Sequence, residues 1–355
     1  MRAVPTRMDQ ISAEWVSRCL QRTAPGVQVS DVEFLGAHVS WASKHRIRVR
    51  YADPTKAAGL PAQFCVKAAL ENPDRPDANG PSAFDRLYVT EARFYRDLAP
   101  TVDLTIPRAF FADTDGTSAV VLMEDLEGPG VTWGSYDRPL GADVVAEVLV
   151  QIARLHAAWW DNAATLDQPW LADVLGPIFE ALTSAPNWDA ILVRPRCQDM
   201  PEQFRDRNTV ARAVRAMREF ETARPHCVLH GDLHIGNLYF RGSRVGILDF
   251  QVVSRGRPIT DVAYFVAGAM ATEDRRASER DLLAVYRDAL LANGIDAPAA
   301  ESLWLDYRRR MVHGLLNYAT PGDADQSERY KATVGGRFAA AAQELESLAA
   351  LGVAG

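Results

Sequence analysis

The chain has 355 residues with 48 % apolar and 24 % charged side chains, the composition of an ordinary globular protein of roughly two or three folding units, which excludes bulk disorder and a collagenous chain. A net charge of −7 supplies no general attraction for nucleic acid or anionic lipid, so neither is expected as a partner. The four cysteines lie apart without a CxxC pair and read as reduced thiols, and no apolar run has the length of a signal or spanning segment, so a cytoplasmic protein off the membrane is expected.

Ser12, just ahead of Trp15, Cys19 and Leu20, caps a predicted first helix. VSDVEFLG (29–36) and ASKHRIRVRY (42–51) follow, the second alternating Ile47, Val49 and Tyr51 with basic residues as a half-buried strand does. AQFCVKAAL (62–70) is a third strand, almost wholly apolar apart from Lys67. ENPDRPDANGPS (71–82) is a loop, VTEARFYRDLAP (89–100) a helix with Glu91 in its first turn, and SAVVLMEDL (118–126) a buried strand closed by EGPG. This order predicts a small α+β unit over 1–127. The remainder, 128–355, reads as mainly helical, with helices at 141–160, about 201–222, 279–292 and 301–319.

The chemistry concentrates in HCVLHGDLHIGNLYFRGSRVGILDFQVVSRGRPITDVAYF (226–265). Asp232 and Asn237 stand five residues apart, and a strand, turn and strand then deliver Asp249 in LDF. Phosphoryl transfer from ATP needs a carboxylate for the attacking hydroxyl, an amide and a carboxylate for Mg²⁺, and an ammonium on the phosphates. Asp232, Asn237, Asp249 and Lys67 match those needs in that order, and the Asp-to-Asn spacing equals that of the kinase catalytic loop. Lysine is scarce, with four among 39 basic residues, so one inside an apolar strand calls for a reason. Buried unpaired, its charge costs several kcal/mol, about 2 or more by transfer scales; Glu91, 24 residues on, is the expected partner, and the plainer alternative is a lysine reaching water from the strand end.

MEDL (123–126) is the expected hinge, with the backbones of Glu124 and Leu126 facing adenine. GAHVSWAS (36–43) is the expected phosphate loop, with Ser43 and its neighbour Lys44 as nucleotide contacts, although it holds one glycine where a GxGxxG motif has three.

With these residues placed, the chain resembles the aminoglycoside phosphotransferase and choline kinase group of small-molecule kinases; HGDLHxxN followed by DFQ resembles its ecdysteroid-kinase-like branch. The resemblance runs from the 30s to about residue 320. It implies a two-lobed protein-kinase-like α+β fold, with an antiparallel sheet and one helix in a small nucleotide-binding lobe (1–127) and a larger helical catalytic lobe (128–355). It further implies ATP and Mg²⁺, with Asp232 as catalytic Asp, Asn237 and Asp249 as metal ligands, Lys67 as the ATP lysine and Glu91 as its partner. Asp261 matches a buried structural Asp.

The acceptor implied is a small-molecule hydroxyl. Residues 160–226 balance 8 basic against 10 acidic side chains, which gives little pull on a polycation. Trp133, Trp159, Trp160, Trp170 and Trp188 suit a neutral or hydrophobic alcohol, or are simply core; His313 and Asn317 reach the same cleft or merely pack. An antibiotic O-phosphotransferase is the neighbouring reading. A metal-dependent hydrolase using His230, Asp232 and His234 leaves Lys67, Glu91 and Asp249 without a role, and a non-catalytic nucleotide-binding protein would not need the intact set. No activation loop ending in APE follows LDF, unlike in a protein kinase. Oligomeric state is not encoded in any of these features.

Overall fold

Apolar residues at Trp15, Val16, Cys19 and Leu20 recur with the helical period, and they bury one face of α1 (Ala13–Gln21). The Ser12 hydroxyl accepts the Trp15 N–H at 3.2 Å, as expected of its cap position. The computed structural model describes residues 4–38, 43–68, 70, 85–173, 176–198, 200–319 and 327–353. The predicted loop at 71–82, and 39–42 of the predicted phosphate loop, lie outside the described residues. The chain divides into two compact units. One comprises Met1–Val131 with Leu248–Val252, the other Thr132–Ile247 with Val253–Gly355.

In the first unit β1 (Val29–His38), β2 (Lys44–Tyr51) and β3 (Gln63–Ala68) precede α2 (Asp85–Arg93), and β4 (Ala109–Thr114) and β5 (Ala119–Glu124) follow it. The strands form an antiparallel sheet in the order β1-β2-β3-β5-β4. Ile47, Phe64, Val66, Val120 and Leu122 from its strands join Trp15 and Leu20 of α1 in one core. Each such large side chain contributes about 1.5–3 kcal/mol when fully buried.

The helix predicted at 89–100 begins earlier, at Asp85, and Glu91 therefore sits in the second half of α2 and not in its first turn. Tyr88, one residue ahead of the predicted start, is already buried, as is Val89. After Arg93 the helix widens into a π-helical turn over Phe94–Leu98 and ends in a single 3₁₀ turn at Ala99–Thr101. β4, which the sequence reading passed over, occupies the edge beyond β5.

The second unit carries β6 (Val131–Trp133), which starts at the last residue of the first unit, then α3 (Ala142–Ala158) and the short helices α4 (Ala163–Leu166), α5 (Gly176–Leu182) and α6 (Ala185–Leu192). α7 (Arg207–Thr222), β7 (Cys227–Leu229), β8 (Leu238–Arg241), β9 (Arg244–Ile247) and β10 (Ser254–Gly256) come next. Two small sheets result, β10-β7 and β6-β8-β9. The chain closes with α8 (Ile259–Ala269), α9 (Thr272–Ala292), α10 (Ala300–Ala319), α11 (Glu328–Glu344) and α12 (Ser347–Ala350). Every residue of α8 is buried, so it shows no polar face for periodicity to detect. α9 starts a full seven residues before the stripe predicted from 279, because its first turns bury an ion pair instead of apolar groups: Arg275 donates to Glu279 at 2.5 Å. Among the described residues no helix is long and apolar enough to cross a membrane.

The five tryptophans divide. Trp159 and Trp188 are buried, with the Trp188 indole N–H donating to the Arg205 carbonyl at 2.9 Å, whereas Trp133 is exposed. Packing of α8, α10 and α11 instead centres on Phe338, whose ring lies stacked against Tyr264 and Tyr318. Gly314 of α10 makes the room: a Cβ there would stand inside the Phe338 ring. Gly314→Ala is therefore expected to lower stability by about 1–3 kcal/mol through forced repacking, read as a reduced Tm; an unchanged Tm would show that α11 yields freely.

Candidate active site

In the first unit β3 carries Lys67 with 4 % side-chain exposure, a position where an ammonium is tolerable only if paired. Two carboxylates pair with it. The Lys67 Nζ donates to Glu91 at 2.7 Å (Oε1), with Oε2 at 2.5 Å, and to Asp249 Oδ1 at 3.2 Å. Lys67 therefore does not reach out to water, and the strand-to-helix pair expected from sequence is present with a second carboxylate added. Burial works against the lysine charge, but Asp249 and Glu91 outweigh it and hold the ammonium above the ordinary lysine range. Burial opposes the Asp249 charge as well, and Lys67, aided by Lys44 and Gln251, still holds that carboxyl well below the usual range. Glu91 is pushed upward by its burial, which exceeds the opposing pull of Lys67.

The segment bearing Asp249 is anchored by aromatic stacking. Phe250 lies 3.9 Å from Phe94, centroid to centroid, with an interplanar angle of 7°, so the π-helical turn that continues α2 also fixes LDF. Asp249 adopts a left-handed backbone conformation (φ 68°), uncommon for a residue with a side chain, and Gln251 donates to its carboxylate. Lys44 stands directly opposite Lys67 across the β2–β3 pair. Two like charges in register disfavour a sheet unless anions face them, as Asp249 and Glu91 do here.

Ser43 immediately precedes β2, and its N–H donates to the Tyr88 hydroxyl at 2.5 Å, which engages the amide offered as a phosphate contact. Glu124 ends β5 with its N–H donating to the Arg108 carbonyl at 2.9 Å; Asp125 accepts from Arg46 at 2.9 Å, and Leu126 is buried.

In the second unit the loop after β7 carries Asp232 and Asn237. Its backbone is held from below by Asp261, which is 1 % exposed: the His230 N–H donates to one carboxylate oxygen at 2.7 Å and the Gly231 N–H to the other at 3.0 Å. A carboxylate only accepts, so His156 Nε2, 3.2 Å away, carries the proton; His156 Nδ1 lies 2.7 Å from the Tyr286 hydroxyl. Burial disfavours the Asp261 charge, but these donors hold its carboxyl below the usual range. Asn237 Nδ2 donates back to the Asp232 carbonyl at 2.9 Å, which turns the amide oxygen outward as an acceptor. The Asp232 carboxylate itself is 40 % exposed.

His230 is fully buried, with Nδ1 accepting the Asp232 N–H at 3.3 Å, and among the described residues no group of three or more His, Cys, Asp or Glu is placed to hold a metal. His313 is buried against Phe179 and Tyr264, with burial and Arg310 holding it well below the ordinary histidine range, and Asn317 donates to the Tyr264 hydroxyl at 2.5 Å.

Two positions carried no sequence signal. His156 closes the apolar stripe of α3 and looks like a helix end; Gly134 follows β6 and looks like an ordinary turn. A Cβ on Gly134 would collide with the Ile235 carbonyl, so only glycine lets this strand run beside the loop between Asp232 and Asn237.

Among solved structures, a choline kinase from Cryptosporidium parvum Iowa II is similar over 96 % of this chain and 97 % of its own, with 13 % identity and a TM-score of 0.53. A macrolide 2'-phosphotransferase from Brachybacterium faecium (16 % identity, 91 % and 97 % coverage, TM-score 0.44) and a choline/ethanolamine kinase family protein from Mesorhizobium loti (15 %, 95 % and 98 %, 0.43) also match. No curated protein sequence matches the chain. The α+β architecture with its antiparallel sheet and helical second unit is the kinase-like fold, as expected from the sequence. The chain belongs to the phosphotransferase enzyme family, whose model matches residues 79–314. It is an enzyme, a small-molecule phosphotransferase.

Asp261→Asn leaves one loop N–H without an acceptor and is expected to cost about 1–3 kcal/mol. Because the Asp261 carboxyl lies below the usual range when folded, its contribution is complete above the ordinary aspartate value, about 3.9, and is lost as pH falls through and below it. The wild type should accordingly lose more Tm on acidification than Asp261→Asn; parallel curves would remove this carboxylate as a source of acid sensitivity.

Proposed function

We propose that the protein transfers the γ-phosphoryl group of ATP to a hydroxyl of a neutral or apolar small molecule, with Mg²⁺. The observation that carries the reading is the Lys67 ammonium, buried yet gripped by Glu91 and Asp249, an arrangement that presents a fixed cation for phosphate. Lys67 binds the α/β-phosphates, and Glu91 keeps it in place; Lys44, its cross-strand neighbour, adds positive charge on the same face of the sheet. Asp232 orients the acceptor hydroxyl and takes its proton as the oxygen attacks the γ-phosphorus and the bond to the bridging oxygen breaks, leaving ADP and a phosphate monoester.

Asn237 and Asp249 would hold Mg²⁺. Both offer hard oxygen donors suited to that ion: Asp249 is kept ionised, and the Asn237 amide nitrogen is already engaged, so its oxygen is the group left to coordinate. When bound, the ion supplies charge neutralisation on the phosphate oxygens. The backbones of Glu124 and Leu126 are assigned to adenine, and Ser43 acts at most through its side chain, its amide being engaged by Tyr88. The acceptor preference rests on the near balance of charge over 160–226, where a site for a polycation would be acidic.

Two measurements test the reading. ATP consumption against a panel of alcohols, with the phosphate position read by mass spectrometry, is expected to select neutral or apolar acceptors; turnover confined to aminoglycosides would overturn that preference. Asp232→Ala is expected to cut transfer on the order of 10²–10⁴-fold with Tm and nucleotide binding kept. Lys67→Arg, although it keeps the charge, is expected to weaken ATP affinity and turnover because a planar guanidinium cannot occupy a site built round a compact ammonium; wild-type values for both would refute the phosphate-clamp role.

A further inference from the structure

The Asp232 carboxylate is approached on both sides by donors that belong to no part of the loop's own backbone. Its Oδ1 lies 3.3 Å from the Tyr264 hydroxyl of α8, and its Oδ2 lies 3.6 Å from His234 Nε2. The direction of each contact is fixed by proton counting. Asn317 of α10 donates to the Tyr264 oxygen at 2.5 Å, so the single Tyr264 hydrogen is left to be given away. Asp232 Oδ1 and the Tyr318 oxygen are both 3.3 Å distant, and the anion is the stronger acceptor. On the other side the Gly236 N–H donates to His234 Nδ1 at 3.0 Å, so that nitrogen is the acceptor and Nε2, facing Asp232, bears the proton.

The contacts close a ring. Tyr318 lies 3.1 Å from Tyr330, and Tyr330 lies 3.5 Å from His234 Nδ1, so Tyr264, Tyr318, Tyr330 and His234 follow one another from one side of Asp232 round to the other within the second unit, the last step being the 3.6 Å approach of His234 to the carboxylate. Burial pushes the Tyr264 and Tyr318 phenols well above their ordinary range and Tyr330 to about 12, which keeps all three as neutral donors. The rings cannot turn away: Tyr264, Tyr318 and Phe338 are mutually stacked at interplanar angles of 20°. Of the three hydroxyls, that of Tyr264 reaches the Asp232 carboxylate, while those of Tyr318 and Tyr330 stand behind it.

We propose that Tyr264 is a positioning residue for Asp232, held in register by Asn317, and that His234 secures the second oxygen of the same carboxylate. The proposal rests on the reading of Asp232 as the group that orients the acceptor hydroxyl. A carboxylate that is 40 % exposed has rotamer freedom, and donors on both oxygens remove it, so one oxygen lone pair stays aimed at the acceptor.

The test measures ADP release from Mg-ATP with the alcohol that the panel selects, for wild type, Tyr264→Phe, Asn317→Ala, Asp232→Asn and the double variants. Tyr264→Phe is expected to lower kcat about tenfold to a hundredfold, with KM for ATP unchanged and with nucleotide binding intact. Asn317→Ala acts through the same hydroxyl, so it should lower kcat likewise and add little to Tyr264→Phe; it carries the test alone should the tyrosine variant fail to fold. In the Asp232→Asn background the tyrosine substitution should have no further effect. Wild-type kcat in both single variants, or losses that simply multiply with that of Asp232→Asn, would overturn the proposal. Wild-type turnover in Asp232→Asn would instead sink the underlying assignment of Asp232, and the two failures are thereby distinguished.

Discussion

A charge taken out of water has to be met by an opposite one, and the ammonium of Lys67 imposes that condition on the first unit. The group lies in the interior of β3 with 4 % exposure, and its environment is organised to answer it. α2 supplies Glu91, and the left-handed backbone at Asp249 brings a second carboxylate to 3.2 Å. Phe94 and Phe250 stack so closely that the π-helical turn and the LDF segment behave as one support. The carboxylates differ in condition: Glu91 is pushed toward neutrality by burial, whereas Asp249 is held ionised.

The second unit solves a related problem by different means. The loop with Asp232 and Asn237 has little regular structure of its own, and its shape is imposed by a buried anion beneath it. Asp261 accepts two successive backbone N–H groups, and His156 meets the charge that those bonds leave. Gly134 admits β6 beside the same loop, and Gly314 admits Phe338 beneath the tyrosines. A phosphotransferase does little covalent chemistry of its own and depends on placing reactants, so rigidity around an otherwise exposed carboxylate is the property that this scaffold supplies.

Much of the fold was legible because its signals are local. Alternation marks β2, a helical stripe marks α3, and Ser12 caps α1 as its position suggests. The departures at α8 and α9 share one cause. α8 is buried on all sides, so it lacks the two-faced pattern, while the first turns of α9 bury Arg275 and Glu279 as an ion pair and read as exposed. Periodicity reports contrast between faces, and it falls silent where burial is complete or where the buried groups are charged.

The sequence by itself determined the chemistry at hand: a lysine in an apolar strand with a glutamate downstream, an Asp and an Asn five residues apart, and an Asp in LDF. Those are short-range patterns of residue type and spacing, which survive without coordinates. Only the tertiary structure decided that Lys67 has two carboxylate partners, that the Ser43 amide is engaged by Tyr88, and that Tyr264, itself bonded by Asn317, and His234 approach the two oxygens of Asp232. Those contacts join residues that lie as far apart as 182 positions in the chain. Hydrogen bonds of that kind depend on how helices and strands pack, and no local pattern of residues encodes them.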